Sequence, residues 1–297
     1  MSKSRTLRDG LNGSEVIRLV GAHSALSAKL GQDAGFEAIW ASGLEISASR
    51  ALPDANVLSM AECLEAAAQI ADAVDVPVLA DCDSGFGGVG NVAHMVRSYQ
   101  ARGLAGVCIE DKQFPKLNSF VEGHQDLAPI GDFAAKITAA KEARTGEDFV
   151  VVARIEAFIA GAGLDEALRR ATVYEAAGAD ALLIHSKLST PEEVFAFRAA
   201  YTGALPVIVV PTTYPQVTAA ELTERRFGGV IYANQGLRAA ISAMRDVLGQ
   251  IGAAGSTHAV EGSIATLKDV FALQNVDALL ARQERHDALT AQYAALG

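Results

Sequence analysis

Residues 149–156 read FVVVARIE. Five apolar residues run without a break, and then an arginine and a glutamate arrive on either side of one isoleucine. A strand with one face in water alternates apolar and polar; an unbroken β-branched run belongs to a strand covered on both faces, as in a parallel sheet. Similar short runs recur along the chain: VIRLVG (16–21), FEAIWA (36–41), VPVLAD (76–81), AGVCIE (105–110), DALLIH (180–185), LPVIVVP (205–211) and GGVIYAN (228–234). Between most of them lie alanine-rich segments with helical spacing, at 60–74, 91–102, 133–144, 164–177, 191–200 and 219–224, and another at 237–251 follows the last run. Strand followed by helix, repeated, predicts a parallel sheet with helical crossovers. Eight runs match a (β/α)8 barrel, and an open doubly wound sheet gives the same local signal. Thr218 before AAELTE, and Thr190 with Pro191 before EEV, are the expected helix caps.

A length of 297 residues suits one large barrel, and a hydrophobic content of 50% can fill its core. No linker rich in Gly, Ser or Pro divides the chain, so one domain is expected over 1–297, with a helical arm from about 255 to 297 (helical pattern at 263–273 and 276–293). No apolar run is long enough to cross a bilayer, and the opening MSKSRTLRDGLNGSE lacks the apolar stretch of a signal peptide. A net charge of −10 argues against nucleic-acid binding. The three cysteines, Cys63, Cys82 and Cys108, fit no zinc spacing and suggest reduced thiols in the cytoplasm.

In a parallel barrel the site lies where the strands end. Here the runs end in ASGLEISAS with LPDAN beyond it, in DCDSGFGG, in EDK, in RIE and in HSK. Asp81, Asp83 and Glu110 are acids at neighbouring strand ends without a matching ring of arginines, a donor set for a hard cation such as Mg²⁺ or Mn²⁺. The plainer alternative is that the two aspartates cap the next turn. Arg154 offers a fork for a carboxylate or phosphate, or simply an ion pair with Glu156. His185 ends the sixth run, where a structural and a catalytic role are both open. Gly85, Gly87 and Gly88 form a turn at which backbone can approach a ligand. Lys112, Lys116, Asn118 and Ser119 place donors suited to phosphoryl oxygens on a long loop that runs past Gly123 and His124 to about Leu127, the profile of a lid.

Residues 110–119, EDKQFPKLNS, hold the signature EDK, five residues, then NS. With GAHSALSAKL, IWASGLEISAS, DCDSGFGG, VVARIEA, GADALLIHS and VVPTTYP, the sequence resembles the phosphoenolpyruvate mutase branch of the phosphoenolpyruvate mutase/isocitrate lyase superfamily over nearly its whole length. The resemblance implies a (β/α)8 barrel whose C-terminal helix is exchanged between subunits, in a homotetramer built as a dimer of dimers. It implies a cytoplasmic, Mg²⁺-dependent isomerase that interconverts phosphoenolpyruvate and 3-phosphonopyruvate, the first step of phosphonate synthesis. By position, Asp81, Asp83 and Glu110 serve the metal, partly through water. Ser42, Gly43 and Leu44 meet the pyruvyl end, with Arg154 on the carboxylate and Trp40 alongside. Asp54 lies near the migrating phosphoryl group, which Lys116, Asn118, Ser119 and His185 grip.

The same stretches also resemble phosphonopyruvate hydrolase, which cleaves the carbon–phosphorus bond and in which the position of Asn118 is typically threonine. Asn118 favours the mutase. Carbon–carbon lyases of the superfamily carry a cysteine on this loop, and residues 112–127 contain none. A non-catalytic binding barrel would be expected to have lost some of the rim acids or lid donors.

Overall fold

The computed structural model describes residues 2–123 and 125–296; His124, expected in the lid, lies outside them. Among the described residues the strands are β1 (Ile17–Ala22), β2 (Ala38–Ala41), β3 (Val78–Asp81), β4 (Gly106–Glu110), β5 (Val150–Ile155), β6 (Ala181–Ile184), β7 (Val207–Val209) and β8 (Gly229–Tyr232). All pair in parallel with their sequence neighbours, and β8 pairs with β1, so the barrel is closed and the open-sheet alternative falls. The helices are α1 (Lys3–Leu11), α2 (Ala25–Asp33), α3 (Gly43–Ser49), α4 (Met60–Ala73), α5 (Val89–Ala101), α6 (Ile130–Ala143), α7 (Gly163–Ala176), α8 (Glu192–Ala200), α9 (Ala219–Glu224), α10 (Gln235–Ala254), α11 (Leu267–Leu273) and α12 (Val276–Ala294). Thr218 caps α9 by accepting from the Glu221 amide at 3.2 Å, as expected. Thr190 does not cap α8, which begins directly after Pro191.

The strands are apolar throughout because their two faces enter different cores. One core fills the barrel: Leu19, Ala38, Leu79, Cys108, Val152 and Leu183 are among its members. The other lies between sheet and helices and holds Ile39, Val78, Ile109, Val151 and Ile184 with Tyr99, Phe133, Tyr174 and Phe197. Side chains alternate along a strand with period two. Each interior apolar residue therefore has an interior successor two positions on, and those successors are Trp40, Asp81, Glu110, Arg154 and His185. Register aligns some of them side by side: Glu110 is opposite Arg154.

The chain resolves into two compact units, Met1–Arg238 and Ala239–Gly297. The second contains most of α10 together with α11 and α12. Thr266 and Asp269 form a reciprocal cap at the start of α11, which sets its beginning later than the expected 263. Leu267, Phe271, Leu279, Leu280 and Tyr293 are exposed on these two helices. No helix among the described residues is long and apolar enough to cross a membrane.

Candidate active site

A small cavity of about 50 Å³ opens at the carboxyl ends of the strands. Its lining includes Trp40, Ser42, Leu44, Asp54 and Asp81 together with Lys116, Asn118, Ser119, Arg154 and His185. Larger surface hollows exist, one of about 510 Å³ next to Gly103 and Phe149. That one lies where β4 and β5 begin, the barrel end associated with stability rather than chemistry. Of the expected site residues, Gly43, Asp83 and Glu110 do not line the cavity but stand beside residues that do. The Gly43 amide donates to Asp81 Oδ2 at 3.3 Å, and a Cβ on Gly43 would meet that same oxygen at 3.2 Å. Gly85, Gly87 and Gly88 are not in the cavity wall. They make the turn into α5, with φ of +89° at Gly85 and +139° at Gly87, and Asn91 Oδ1 accepts from the Gly88 amide.

The lid lies folded over this end of the barrel. Lys116 Nζ is 2.7 Å from Asp54 Oδ1 and 2.9 Å from Asp83 Oδ1. Asn118 Nδ2 donates to Asp54 Oδ2 at 2.6 Å. Asn56 joins both partners, donating to Asp83 Oδ2 at 2.8 Å and accepting from the Lys116 amide at 2.5 Å. Burial works against charge on Asp54, yet Lys116 and Asn118 outweigh it and hold its pKa below the usual carboxylate range. Burial likewise opposes the Lys116 ammonium, and the carboxylates of Glu110, Asp83 and Asp54 hold its pKa well above normal.

A second network backs the cavity on the far side. Glu156, fully buried, accepts from Arg154 Nε and from Ser119 Oγ at 2.7 Å, and its Oε1 stands 2.9 Å from His185 Nδ1. Its pKa is held well below the usual range: burial opposes this, and Arg154, His185 and Lys112 overcome it. Arg154 Nε also stands 3.3 Å from Glu110 Oε2, and its Nη2 is 3.4 Å from Ser119 Oγ. Burial lowers the pKa of His185, so the ring is neutral at pH 7; its Nδ1 stands 2.9 Å from both Glu156 Oε1 and Arg154 Nη2. Lys112 differs from expectation. Its ammonium turns inward to Ser119 Oγ at 2.7 Å, Leu117 O at 2.9 Å and Glu156 Oε2 at 3.4 Å, so it braces the loop and does not face the cavity.

Asp81, Asp83 and Glu110 are the acids expected to serve a cation. Among the described residues no three His, Cys, Asp or Glu side chains gather closely enough to chelate one ion together; the Lys116 ammonium stands among the carboxylates. The donor chemistry still fits a hard cation. All donors are carboxylate oxygens, Glu110 Oε1 is buried without a hydrogen-bond partner, and burial pushes the Asp81 pKa up to about 7, which an added positive charge would reverse. Acids too far apart to chelate jointly suit Mg²⁺, which keeps several of its waters.

Sequence reasoning missed Asn56, Phe120, Val210, Thr212 and Asn234. Phe120 sets its ring edge-on to His185, with centroids 5.7 Å apart, and it lines the cavity along with Val210, Thr212 and Asn234. The period-two rule carried past Ile208 points to Val210 and then Thr212, a signal that was available. Cys82, although it lies between two acids, is buried with its pKa pushed well above normal, so it is inert packing.

Comparison with known proteins agrees with this geometry. A phosphoenolpyruvate phosphomutase structure from Streptomyces platensis subsp. rosaceus superposes with a TM-score of 0.93 at 50% identity, covering 95% of this chain and 98% of that one. A phosphonopyruvate hydrolase solved in complex with oxalate and Mg²⁺ superposes at 0.92 with 44% identity, covering 96% and 99%. The phosphoenolpyruvate phosphomutase of Tetrahymena pyriformis is 43% identical over 93% of each chain. The family profile described as phosphoenolpyruvate phosphomutase matches residues 7–252. The chain belongs to the phosphoenolpyruvate phosphomutase family.

Proposed function

We propose that this protein is a phosphoenolpyruvate mutase, an isomerase that interconverts phosphoenolpyruvate and 3-phosphonopyruvate. The observation that carries the reading is the bond from Asn118 to Asp54, made by a lid whose Lys116 grips the same carboxylate over a cavity of about 50 Å³. In the forward direction the bond between O2 and phosphorus breaks, and its electrons stay on O2 as the enolate of pyruvate. C3 then bonds phosphorus while the C2 carbonyl re-forms. No proton is gained or lost, so the site needs charge stabilisation and exclusion of water, with no acid–base pair.

The residues divide accordingly. Arg154, held by Glu110 and Glu156, is the fixed cation for the substrate carboxylate, and the start of α3 at Ser42, Gly43 and Leu44 receives the pyruvyl end with Trp40 beneath it. Lys116, Asn118, Ser119 and His185 face the phosphoryl group. A neutral His185 gains a proton more readily beside phosphoryl charge, which turns it into a donor. Asp54, fixed by two donors, lies where a carboxylate meets the migrating group, as its acceptor or as the anchor of its cradle. Asp81, Asp83 and Glu110 are the residues that would hold Mg²⁺, partly through water. When bound, the ion supplies Lewis-acid stabilisation of the enolate oxygen.

The hydrolase would need a water at phosphorus and a proton delivered to C3; a lid bonded down on Asp54 disfavours the first. A second copy of this chain, covering the exposed apolar side chains of α11 and α12, is the partner we propose, in a helix-exchanged oligomer of the dimer-of-dimers kind. Buried carboxylates and cations in such number are costly without a charged ligand, which disfavours a passive scaffold. The test is phosphorus NMR of the purified protein with phosphonopyruvate and Mg²⁺. Phosphoenolpyruvate should appear; inorganic phosphate and pyruvate as the sole products would overturn the reading.

A further inference from the structure

The lid leaves the barrel at Asp111 and returns at Ala128, and neither residue lines the cavity. Both ends are joined by one buried assembly. The Ala128 amide donates to Asp111 O at 2.8 Å, and Lys112 and Leu127 pair next to it as an antiparallel bridge. Helix α7 then spans the two ends. Arg170 gives Nη1 to Asp111 Oδ2 at 2.9 Å and Nη2 to Ala128 O at 3.0 Å, while its Nε is held by Glu166 Oε1 at 2.7 Å. Tyr174, one turn later on the same face, accepts from Arg170 Nη1 at 2.8 Å and donates its hydroxyl to Asp111 Oδ2 at 2.8 Å. The other Asp111 oxygen accepts from the Glu156 amide at 2.8 Å. Glu156 is the carboxylate that orients Arg154, Ser119 and His185.

Asp111, Arg170 and Tyr174 are all buried, and their bonds do not face the place where substrate would sit. The bonds at the lid tip, from Lys116 and Asn118 to Asp54, are the ones a phosphoryl group would compete with. The two sets therefore differ in kind: the tip contacts exchange with ligand, and the base contacts stay. A planar guanidinium with one fork on each end of the lid fixes the separation and direction of those ends in a way a lysine cannot.

We propose that Arg170, seconded by Tyr174, is a positioning residue that clamps the base of the lid. It aims Lys116 and Asn118 at Asp54 and, through Asp111, fixes the Glu156 backbone behind Arg154 and His185. Its consequence for chemistry is that the clamp keeps water from the phosphoryl group during transfer. That part rests on the mutase reading above; the mechanical part does not.

The experiment compares Arg170→Lys, which keeps a cation next to Asp111, and Tyr174→Phe, which keeps the volume, with the unaltered protein. Thermal melts identify the variants that fold. Tryptic cleavage after Lys116, which is buried when the lid is down, is read by mass spectrometry without substrate. In parallel, phosphorus NMR with phosphonopyruvate and Mg²⁺ gives the ratio of inorganic phosphate to phosphoenolpyruvate. Arg170→Lys should speed cleavage after Lys116 about tenfold and raise the phosphate fraction at least tenfold, with KM rising more than kcat falls. Tyr174→Phe should move each readout in the same direction by a smaller factor. Unchanged cleavage in both folded variants overturns the clamp. Faster cleavage with an unchanged product ratio overturns its role in excluding water. Faster cleavage in the variants of a protein that makes no phosphoenolpyruvate even unaltered supports the clamp and sinks the mutase reading.

Discussion

Replacing Asp54 with asparagine keeps the shape of the side chain and removes its charge. The carboxylate now accepts from the Lys116 ammonium at 2.7 Å and from Asn118 Nδ2 at 2.6 Å, with its side chain 6% exposed. An amide has one accepting oxygen, so either Lys116 or Asn118 must face an NH₂ group. One buried donor is then left unpaired, at about 1–3 kcal/mol. The surviving bond loses its charge assistance, about 1 kcal/mol more. Lys116 keeps Asp83 at 2.9 Å, so its charge is not orphaned and the full penalty of a broken buried pair does not apply. The sum is about 2–4 kcal/mol against the closed lid, or about 30- to 700-fold in the ratio of closed to open lid at 1.4 kcal/mol per decade. Asp54→Asn should lower kcat for phosphonopyruvate isomerisation at least about tenfold, because Lys116 and Asn118 lose their shared anchor beside the reacting group, and more if the carboxylate also receives the phosphoryl group. The melting temperature should hardly change, because the loop is not part of the barrel cores. Cleavage after Lys116 should accelerate by a similar factor, since proteolysis of a fast-opening segment follows the open population. A variant with kcat within threefold of the original would refute this reasoning.

Three further outcomes are expected. Asn118→Thr shortens the donor that reaches Asp54 and opens the lid tip; product analysis by phosphorus NMR should show the phosphate fraction rising about tenfold, and an unchanged ratio would separate Asn118 from the choice between transfer and hydrolysis. The Asp81 pKa, raised to about 7 by burial, lies above that of an unfolded aspartate, so the native state binds the extra proton and its stability is present at low pH and lost as pH rises towards 7. Metal-free protein should therefore melt at a lower temperature at pH 7.5 than at pH 5.5, by up to a few kcal/mol of stability, while Mg²⁺ should stabilise more at pH 7.5; the same Mg²⁺ effect at both pH values would contradict it. Glu110→Gln removes one of the acids weighed for the cation and should weaken Mn²⁺ binding, followed by paramagnetic resonance, at least tenfold; undiminished affinity would remove Glu110 from the metal set.

Much of the barrel was legible because strand and helix alternate with apolar runs that no half-exposed sheet would carry. Helices α1, α2 and α3 were not read: KSRTLRDGL is largely polar, ALSAKLGQD mixes small and polar residues over little more than two turns, and GLEISAS is too short for a helical period to stand out from a loop. The rim charges were found one at a time from strand ends. The rule that unites them, an interior position two residues after an interior apolar residue, becomes plain only once Leu79, Cys108, Val152 and Leu183 are seen in one core. The role of Lys112 could not be read, because a donor on a loop has no direction until the fold supplies Glu156 as its partner. Asn56 escaped for a related reason. Its left-handed backbone, at φ +55°, turns both ends of its amide towards Asp83 and the Lys116 backbone, and no local spacing encodes that meeting.

In the proposed reaction one pyruvate enolate stays in place, shielded from water, while phosphorus passes between its two ends. The direct measurement is to convert unlabelled phosphonopyruvate with Mg²⁺ in a large excess of ¹³C-labelled pyruvate and weigh the phosphoenolpyruvate by mass spectrometry. Transfer within one enolate yields phosphoenolpyruvate free of ¹³C. Labelled phosphoenolpyruvate, or phosphate in its place, would contradict it.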